Sequence, residues 1–496
     1  MRKKLFFLLI LFLSLPSLSY TQEISSIFIQ LAKSLDKEID EESLRKEVSS
    51  FTEEDVFGEK IEEVINIMRK KGIFLHGFRV NPQRETLSLL KENKKPFIVY
   101  LKNKGLGIVE EIVENKEGYA VRFIREKEEI IKEDEFIFNW DGKILSLPLV
   151  NILVERLPQR GSSDGRFIIT YSYHKENFEK LKKILDKLRE EADREGKKFI
   201  YIDELGLIPK DSIRKTQNSF KLSEKEAFEK ARKTLAEEIE RFAKGISTYD
   251  ENPFYQAQYA YLAKYKIKSY MEELAYDNWR HIVRFDDLNI HNKAINAFCR
   301  GDTNSYIKKL KEYNQGFWLY NVKERDENFR KQIRKIAQEN PGSIIFTLRG
   351  IGHYGLEERL LLEGFSMVTY VISEGGFEES LISDQFCQIL INNGVEVSPQ
   401  EERILLLRSF PEEALRTYLQ KYIEDLTLAT SLAKRIVKRM SEKEIKILAR
   451  DISYAFAKGK IKKTEDVWEY VFNWAKVRNK ILPSEIPAHF VSGQKL

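Results

Sequence analysis

A histidine and a glutamate follow two predicted strands near the middle of the 496-residue chain. His174 comes directly after an apolar run at residues 167–173, and Glu204 comes after a second run at residues 198–202. Apolar side chains recur at helical spacing between the two runs, which predicts a β-α-β unit with parallel strands. We therefore expect His174 and Glu204 at the carboxyl ends of neighbouring strands, on one edge of a sheet.

The same pattern recurs later in the chain. Glu272 and Glu273 follow a short strand predicted at residues 267–270, and His353 follows a strand predicted at residues 343–348. In open α/β sheets, ligands bind outside the carboxyl ends of the strands. Imidazoles and carboxylates at that edge suit either a divalent metal ion or a His–carboxylate base that activates water.

Three of these residues form the centre of the predicted site. We expect His174, Glu204 and His353 to be catalytic, either as ligands of a divalent metal ion whose identity is open or by activating water directly. Gly350 and Gly352 precede the second imidazole, and glycine lets the backbone turn tightly and approach a ligand. A single histidine after a strand is usually a structural residue, so the prediction depends on all of them sharing one edge.

A family resemblance covers this part of the chain. Its segments read Arg325-Asp-Glu-Asn328, then residues 329–333, Gly350-Ile-Gly-His353, and residues 364–370. They resemble the end of the TraB/Tiki group, which is similar in turn to erythromycin esterases and to a haem-uptake lipoprotein family. The resemblance implies a mixed α/β hydrolase-like domain at residues 166–375. It also implies two G-x-x-H motifs and an acid that in some members serve a divalent metal and peptide cleavage.

The two G-x-x-H motifs are not equally complete in this chain. The second is intact at residues 350–353, whereas the first reads Tyr171-Ser-Tyr-His174, with tyrosine at the glycine position. Glu204 fits the acid, and we expect Arg325 to steady an anionic group or the loop. A bulky tyrosine at the glycine position would hinder close approach of the backbone to a metal ion more than it would disturb the fold. An inactive domain therefore remains the alternative.

The first part of the chain places helices before strands. Apolar residues recur at helical spacing at residues 27–35 and 61–68, and strands are predicted at residues 97–101, 107–112 and 119–123. Helices followed by antiparallel strands are typical of an α+β domain.

This part resembles a second family. Gly58 opens a predicted helix, and the segments at residues 90–101 and 136–145 are similar to those of the bacteriocin-processing cysteine peptidases. These are papain-like enzymes that cut double-glycine leaders. The resemblance implies a papain-like domain at residues 23–156.

The catalytic residues of that family are missing. Its members need a thiolate nucleophile and a histidine base, but the first cysteine of this chain is Cys299. Residues 103–107 read Asn-Lys-Gly-Leu-Gly where the base should precede its strand, and the strand that should supply an orienting aspartate ends at Phe123. Ser25 and Ser26 begin the first helix without an accompanying base. We therefore predict a pseudopeptidase that binds or packs rather than cuts.

Two breaks divide the chain into three parts. Residues 157–166 have the Pro, Gly and Ser content of a linker, and a softer break falls at residues 373–377. We predict a multidomain chain: an α+β papain-like domain, an α/β domain with a mixed, mostly parallel sheet, and an all-α bundle. The bundle occupies residues 376–496, where amphipathic helices predominate. It either packs on the α/β domain or binds a partner.

The amino terminus has the pattern of a secretory signal peptide at residues 1–19. Three basic residues precede the apolar run at residues 5–13, and Ser17 and Ser19 supply small side chains before a cleavage site. The apolar run is too short to span a bilayer, and Pro16 interrupts it. We therefore predict a secreted or periplasmic protein that would contact a membrane only through an uncleaved signal.

Composition limits the expected classes of partner and the expected state of the cysteines. The net charge of +5 is spread along the chain, which argues against nucleic acid. Cys299 and Cys387 each lie in mostly apolar stretches, so we predict two buried thiols, although export would permit a disulfide.

Two functions remain open. The first is an exported hydrolase, peptidase-like or esterase-like, whose middle domain depends on a metal or on histidine and glutamate, with Glu272 or Glu273 assisting. The second is a catalytically inactive extracytoplasmic scaffold that binds a peptide or a protein partner.

Overall fold

The computed structural model divides the chain into two compact units. The first consists of residues 1–162, 361–371 and 394–396, and the second of residues 163–360, 372–393 and 397–496. The structure describes residues 16–93, 95–116, 118–147, 154–157, 166–172, 178–204, 208, 210–243, 253–362, 366–371, 381–395, 397–423 and 426–482. Residues 1–15 of the predicted signal peptide lie outside these ranges, as does the predicted break at residues 373–377.

Where the structure describes it, the first unit contains four helices before its first strand and two helices between strands. They are α1 (Pro16–Ser34), α2 (Glu41–Val48), α3 (Glu53–Val56), α4 (Ile61–Lys70), α5 (Arg84–Asn93) and α6 (Glu133–Asn139). The side chain of Asp40 caps α2 by accepting the amide of Ser43, which satisfies a donor that the first turn leaves free. The apolar repeat predicted at residues 61–68 is buried along α4, so the helical prediction for this segment is confirmed.

An antiparallel sheet follows in the first unit. Its strands are β1 (His76–Arg79), β2 (Phe97–Leu101), β3 (Gly105–Asn115), β4 (Gly118–Ile124), β5 (Glu128–Lys132), β6 (Lys143–Ser146), β7 (Val154–Leu157) and β12 (Ser366–Val371). They are ordered β12-β7-β1-β6-β2-β3-β4-β5, and neighbouring strands in this order are antiparallel. The three strands predicted at residues 97–123 are confirmed.

The second unit contains a parallel sheet. Its strands are β8 (Arg166–Ser172), β9 (Phe199–Asp203), β10 (Lys268–Met271) and β11 (Ile344–Gly350), ordered β10-β9-β11-β8. The prediction that β8 and β9 are neighbours is wrong, because β11 lies between them. A β-α-β pattern predicts parallel strands, but it does not show whether a later strand inserts between the two.

Most of the second unit is helical. Its helices are α7 (Phe178–Glu195), α8 (Lys210–Phe220), α9 (Glu224–Ala243), α10 (Pro253–Lys264), α11 (Tyr276–Asp287), α12 (Ile290–Cys299), α13 (Thr303–Phe317), α14 (Glu324–Glu339), α15 (Leu356–Leu362), α16 (Ser383–Asn392), α17 (Pro399–Leu419), α18 (Leu426–Lys438), α19 (Glu442–Ala457) and α20 (Thr464–Val477). A π-helix (Trp318–Lys323) joins α13 directly to α14. No helix in the described part of the chain has the length and apolarity needed to cross a membrane.

The carboxyl-terminal helices do not form a compact unit of their own. Helices α17 to α20 share one apolar core with α12 and α13, in which the rings of Phe298 and Phe410 stack with centroids 4.1 Å apart. The predicted part at residues 376–496 is mostly helical where it is described, but apart from residues 394–396 it belongs to the second unit. Amphipathic spacing predicts that a helix buries one face without identifying its neighbour. Cys299 and Cys387 are free thiols, but only Cys387 is buried as predicted, whereas Cys299 is partly buried.

Candidate active site

Three charged residues form a row across the carboxyl ends of the parallel strands. Met271 of β10 is paired with Asp203 of β9, so Glu272 and Glu204 are the next residues of their strands. On the other side, Ile202 of β9 is paired with Thr347 of β11, and two residues further along each strand lie Glu204 and Arg349. Paired residues of neighbouring strands share a face of the sheet. Glu272, Glu204 and Arg349 therefore lie side by side.

Glu272 is held by two guanidinium groups. Arg325, on α14, donates from Nη2 to Glu272 Oε2 over 2.7 Å, and Arg349 donates from Nη1 to the same oxygen over 2.8 Å. Both Glu272 and Arg349 are buried. Burial alone would raise the pKa of Glu272, but the two guanidinium groups hold that pKa below its usual value.

Glu204 is the most exposed carboxylate of the row, with 12% of its side chain accessible against 1% for Glu272. Its Oε2 accepts the backbone amide of Gly350 over 2.7 Å, and its Oε1 lies 3.3 Å from Arg325 Nη2. The last residue of β11 therefore fixes the orientation of this carboxylate.

His353 lies between two carboxylates. Its Nδ1 lies 2.7 Å from Oδ1 of Asp326, which is fully buried on α14, and its Nε2 lies 3.3 Å from Oε1 of Glu204. This arrangement fixes the ring and directs Nε2 toward the more exposed carboxylate. An imidazole held in this way can donate a proton at Nε2 while Asp326 stabilises its charge.

The groups around His353 have opposite effects on its pKa. Burial and the Arg349 guanidinium lower the pKa of His353, but the carboxylates of Asp326 and Glu204 outweigh them, so its pKa lies above the usual value. Burial would also raise the pKa of Asp326. The imidazole and the nearby guanidinium groups keep that pKa below its usual value. Asp326 is therefore a carboxylate, and His353 Nδ1 is the donor between them.

The π-helix positions two of these side chains. Its wide turn continues α13 into α14 immediately before Arg325 and Asp326, and π-turns inside helices often occur at functional sites. Farther along α14, the ring of Phe329 lies 4.2 Å from the guanidinium carbon of Arg349. On α15, Arg359 donates from Nη2 to Asp326 Oδ2 over 3.2 Å.

Four side chains predicted for the site do come together: Glu204, Glu272, Arg325 and His353. Arg325 holds carboxylates of the protein itself, and its role toward an anionic group or the loop stays a prediction. His174 lies outside the described residues.

One of the remaining predictions needs correction. Glu273 is exposed, and its backbone amide donates to Gln332, because alternation beyond β10 sends the next side chain away from the row. At Gly352 a Cβ atom would come no nearer than 3.9 Å to Val322, and the approach of its backbone to a ligand stays a prediction. Gly350 does contribute its amide, to Glu204. The left-handed glycine of this loop is Gly355, with φ +96°.

No role was predicted for Asp326, Arg349 or Arg359. Two signals could have pointed to the first two. Arg349 is a charged residue within a strand whose preceding residues are mostly apolar, and Asp326 directly follows Arg325, for which a role was predicted. No comparable signal marks Arg359.

The described carboxylates of the site are already matched by donors, whereas His174, a third ligand expected for a divalent metal ion, lies outside the described residues, so the metal site stays a prediction. Each oxygen of Glu204, Glu272 and Asp326 accepts a hydrogen bond or lies within 3.3 Å of a guanidinium or imidazole nitrogen. A divalent cation would have to displace these donors and would lie beside the charges of Arg325 and Arg349. Among the residues that the structure describes, no group of three or more His, Cys, Asp or Glu side chains has the arrangement of a metal site.

In the first unit, an ion pair lies beside residues 103–107, the segment in which the resemblance predicts the histidine base of the peptidase family. Arg125 donates from Nη2 to Glu53 Oε1 over 2.8 Å, and Glu53 Oε2 accepts the amide of Leu106 over 2.8 Å. Gly105, at φ +83°, begins β3 against this pair. Ser25 is buried, and its hydroxyl accepts a hydrogen bond from Arg45.

Charged and polar side chains outside the site also have partners. His281 is exposed and lies 3.1 Å from Glu324 Oε2. In α10, Tyr259 and Gln258 are buried and donate to the carboxylate of Asp203, consistent with a packing role.

Comparison of the chain with family models, with curated proteins and with solved structures finds no match in any of the three. The assignment of a function therefore depends on the geometry of the site.

Proposed function

We propose that the second unit is a metal-independent hydrolase of esters or peptides in which Glu204 and His353 are the catalytic residues. The observation that carries the proposal is the position of the His353 ring. Its Nδ1 is fixed by the buried Asp326, and its Nε2 faces the more exposed Glu204 at 3.3 Å. A fixed acid beside an accessible carboxylate base is the pair that general acid–base hydrolysis requires.

In the proposed reaction, Glu204 accepts a proton from a water molecule whose oxygen attacks the carbonyl carbon of the substrate. The imidazolium of His353 and the guanidinium of Arg325 stabilise the negative charge that develops on the carbonyl oxygen. When the tetrahedral intermediate collapses, His353 Nε2 donates its proton to the leaving alcohol or amine. The proton held by Glu204 then returns to His353.

Asp326 and Glu272 are positioning residues in this scheme. Asp326 orients the imidazole and stabilises its positive charge, as a buried carboxylate does for a catalytic histidine. Glu272 holds Arg325 in the row through hydrogen bonds of 2.7 and 3.3 Å. Neither carboxylate needs to contact the substrate.

We also propose that the protein acts after export, in a secreted or periplasmic location, and that the first unit is an inactive peptidase-like domain that binds a peptide or protein ligand. The sequence pattern at residues 1–19 supports the first statement. The absence of cysteine before Cys299 and the Glu53–Arg125 ion pair support the second.

One observation favours a second candidate, a non-catalytic scaffold. The carboxylate oxygens of the row and of Asp326 are all matched by donors, and ion-pair networks of this kind also occur for structural reasons. Under this alternative, His353 would link the end of β11 to α14 and would hydrolyse nothing.

Ester and peptide hydrolysis by the purified protein, dialysed against a chelator, separates the two. We expect turnover of p-nitrophenyl butyrate or of a quenched fluorescent peptide mixture to survive dialysis and to fall by about 100-fold or more in His353→Gln. His281→Gln, a change at an exposed histidine, is the matched control and should stay within about twofold. Absence of turnover of either substrate would favour the scaffold, and loss of turnover on dialysis would contradict the metal-independent scheme.

A further inference from the structure

Arg359 differs from the other cationic side chains of the site in its exposure. Its side chain is 31% accessible, whereas those of Arg325, Arg349 and His353 are 9%, 0% and 6% accessible. Among the residues that contact Asp326, Arg359 is therefore the one that a dissolved molecule can reach.

Within the part of the chain that the structure describes, the guanidinium of Arg359 also has hydrogen-bonding capacity that is not used. Its hydrogen bond within the described residues runs from Nη2 to Asp326 Oδ2 over 3.2 Å, whereas a guanidinium carries five N–H donors. An accessible guanidinium edge of this kind matches a carboxylate, which accepts two parallel hydrogen bonds.

The charge of Arg359 is only partly neutralised. Asp326, its partner, is shared with His353 at 2.7 Å and with Arg349 at 3.2 Å. One carboxylate therefore faces three cationic donors. An additional anion beside Arg359 would gain Coulomb energy without displacing any contact of the site.

We infer that Arg359 binds an anionic group of the substrate, preferably a carboxylate, and so makes the enzyme selective for acidic substrates. This inference rests on the proposed hydrolase function. Asp326 and the His353 ring lie between Arg359 and Glu204, so the anionic group is separated by several bonds from the carbonyl that is attacked. A substrate whose acyl chain ends in a carboxylate has this separation between its anionic group and the attacked carbonyl.

Paired esters test the inference. The p-nitrophenyl monoesters of succinate and adipate carry a terminal carboxylate, and the butyrate and hexanoate esters are neutral references of the same carbon chain lengths. We expect the wild type to have a higher kcat/KM for one of the acidic esters than for its reference. We expect Arg359→Gln to lower that preference about tenfold, mainly through KM. Arg359→Lys should retain part of the preference, because it keeps the positive charge but cannot donate the two parallel hydrogen bonds of a guanidinium.

Lys335→Gln is the charge-matched control, because Lys335 is an exposed residue of α14, and we expect it to leave the preference unchanged. An equal preference in the wild type and Arg359→Gln would overturn the inference while leaving the hydrolase intact.

A measurement of adipate binding tests the anion site without requiring that the protein hydrolyse an ester. Adipate should raise the urea midpoint of the wild type, by linkage, and should do so less in Arg359→Gln than in Lys335→Gln. If the wild type hydrolyses no ester but adipate binding depends on Arg359, the anion site stands and the hydrolase fails. Equal stabilisation of the two variants by adipate would refute the anion site.

Discussion

The imidazole of His353 and the carboxylate of Asp326 lie 2.7 Å apart, although the two residues are 27 positions apart in the chain. His353 follows β11, and Asp326 lies in the first turn of α14, directly after the π-helix. The packing of α14 against the end of the parallel sheet therefore creates the pair.

Replacing Asp326 by Asn should impair catalysis by removing the charge that stabilises the imidazolium. We expect kcat to fall by about 100-fold or more and the pKa of His353 to fall, because Asp326 is the carboxylate with the larger effect in raising it. An NMR titration of His353 and ester kinetics measure the two effects. Glu327→Gln, a change at the adjacent and more exposed position, is the control. A His353 titration unchanged by Asp326→Asn would contradict the proposed pairing.

Activity should decline on the alkaline side of the pH profile. The proposed acid is the protonated His353, whose pKa is raised above the ordinary value of 6.5. The rate should therefore persist above that pH and be lost as the pH passes the folded-state pKa. The pH dependence of kcat/KM measures this limb. A rate that instead rises on deprotonation of His353 would make the imidazole a base, contrary to the scheme.

The same titration has a consequence for stability. A histidine with a raised pKa in the folded state stabilises the fold fully below its unfolded pKa, and this contribution disappears as the pH rises through the folded pKa. Urea unfolding should therefore show a larger stability difference between wild type and His353→Gln at pH 6 than at pH 9. A difference that grows with pH would mean that burial outweighs the two carboxylates.

Replacing Arg349 by Met should destabilise the second unit. The guanidinium is fully buried and bonds both Glu272 and Asp326, so its removal leaves buried carboxylates with less compensation, at a cost of about 3–5 kcal/mol. Lys335→Met changes the same charge at an exposed site and should alter the free energy of unfolding by about 0.5 kcal/mol or less. Similar urea midpoints for the two variants would show that the buried network contributes little.

A pair of glycine substitutions tests the loop that carries His353. Gly355 has φ +96°, and a Cβ atom there would collide with the side chain of Asn393. Gly355→Ala should therefore cost at least about 1–2 kcal/mol. Gly352→Ala places its methyl group 3.9 Å from Val322 in otherwise open space and should have a small effect on unfolding. Equal effects of the two substitutions would contradict the loop conformation.

Sequence patterns predicted the elements better than their arrangement. Apolar spacing identified β9 and β11, and the rule for carboxyl ends of parallel strands correctly brought Glu204 and His353 together. The insertion of β11 beside β9 could not be predicted, because it depends on packing between segments far apart in the chain.

The charged partners of His353 were missed for a similar reason. A charged residue such as Arg349 or Asp326 is usually exposed, and only the folded structure shows that these two are buried together. The choice between Glu272 and Glu273 required the register of β10 against β9, which apolar spacing over so short a strand does not fix.

The most direct test of the hydrolase is the turnover number of two glutamine variants on a p-nitrophenyl ester, measured in chelator-treated protein. Glu204→Gln removes the proposed base, and Glu273→Gln makes the same chemical change at an exposed glutamate outside the site. We predict that kcat falls by about 100-fold or more in the first variant and by no more than about twofold in the second. Equal turnover by the two variants, with both folded by circular dichroism, would contradict the role of Glu204.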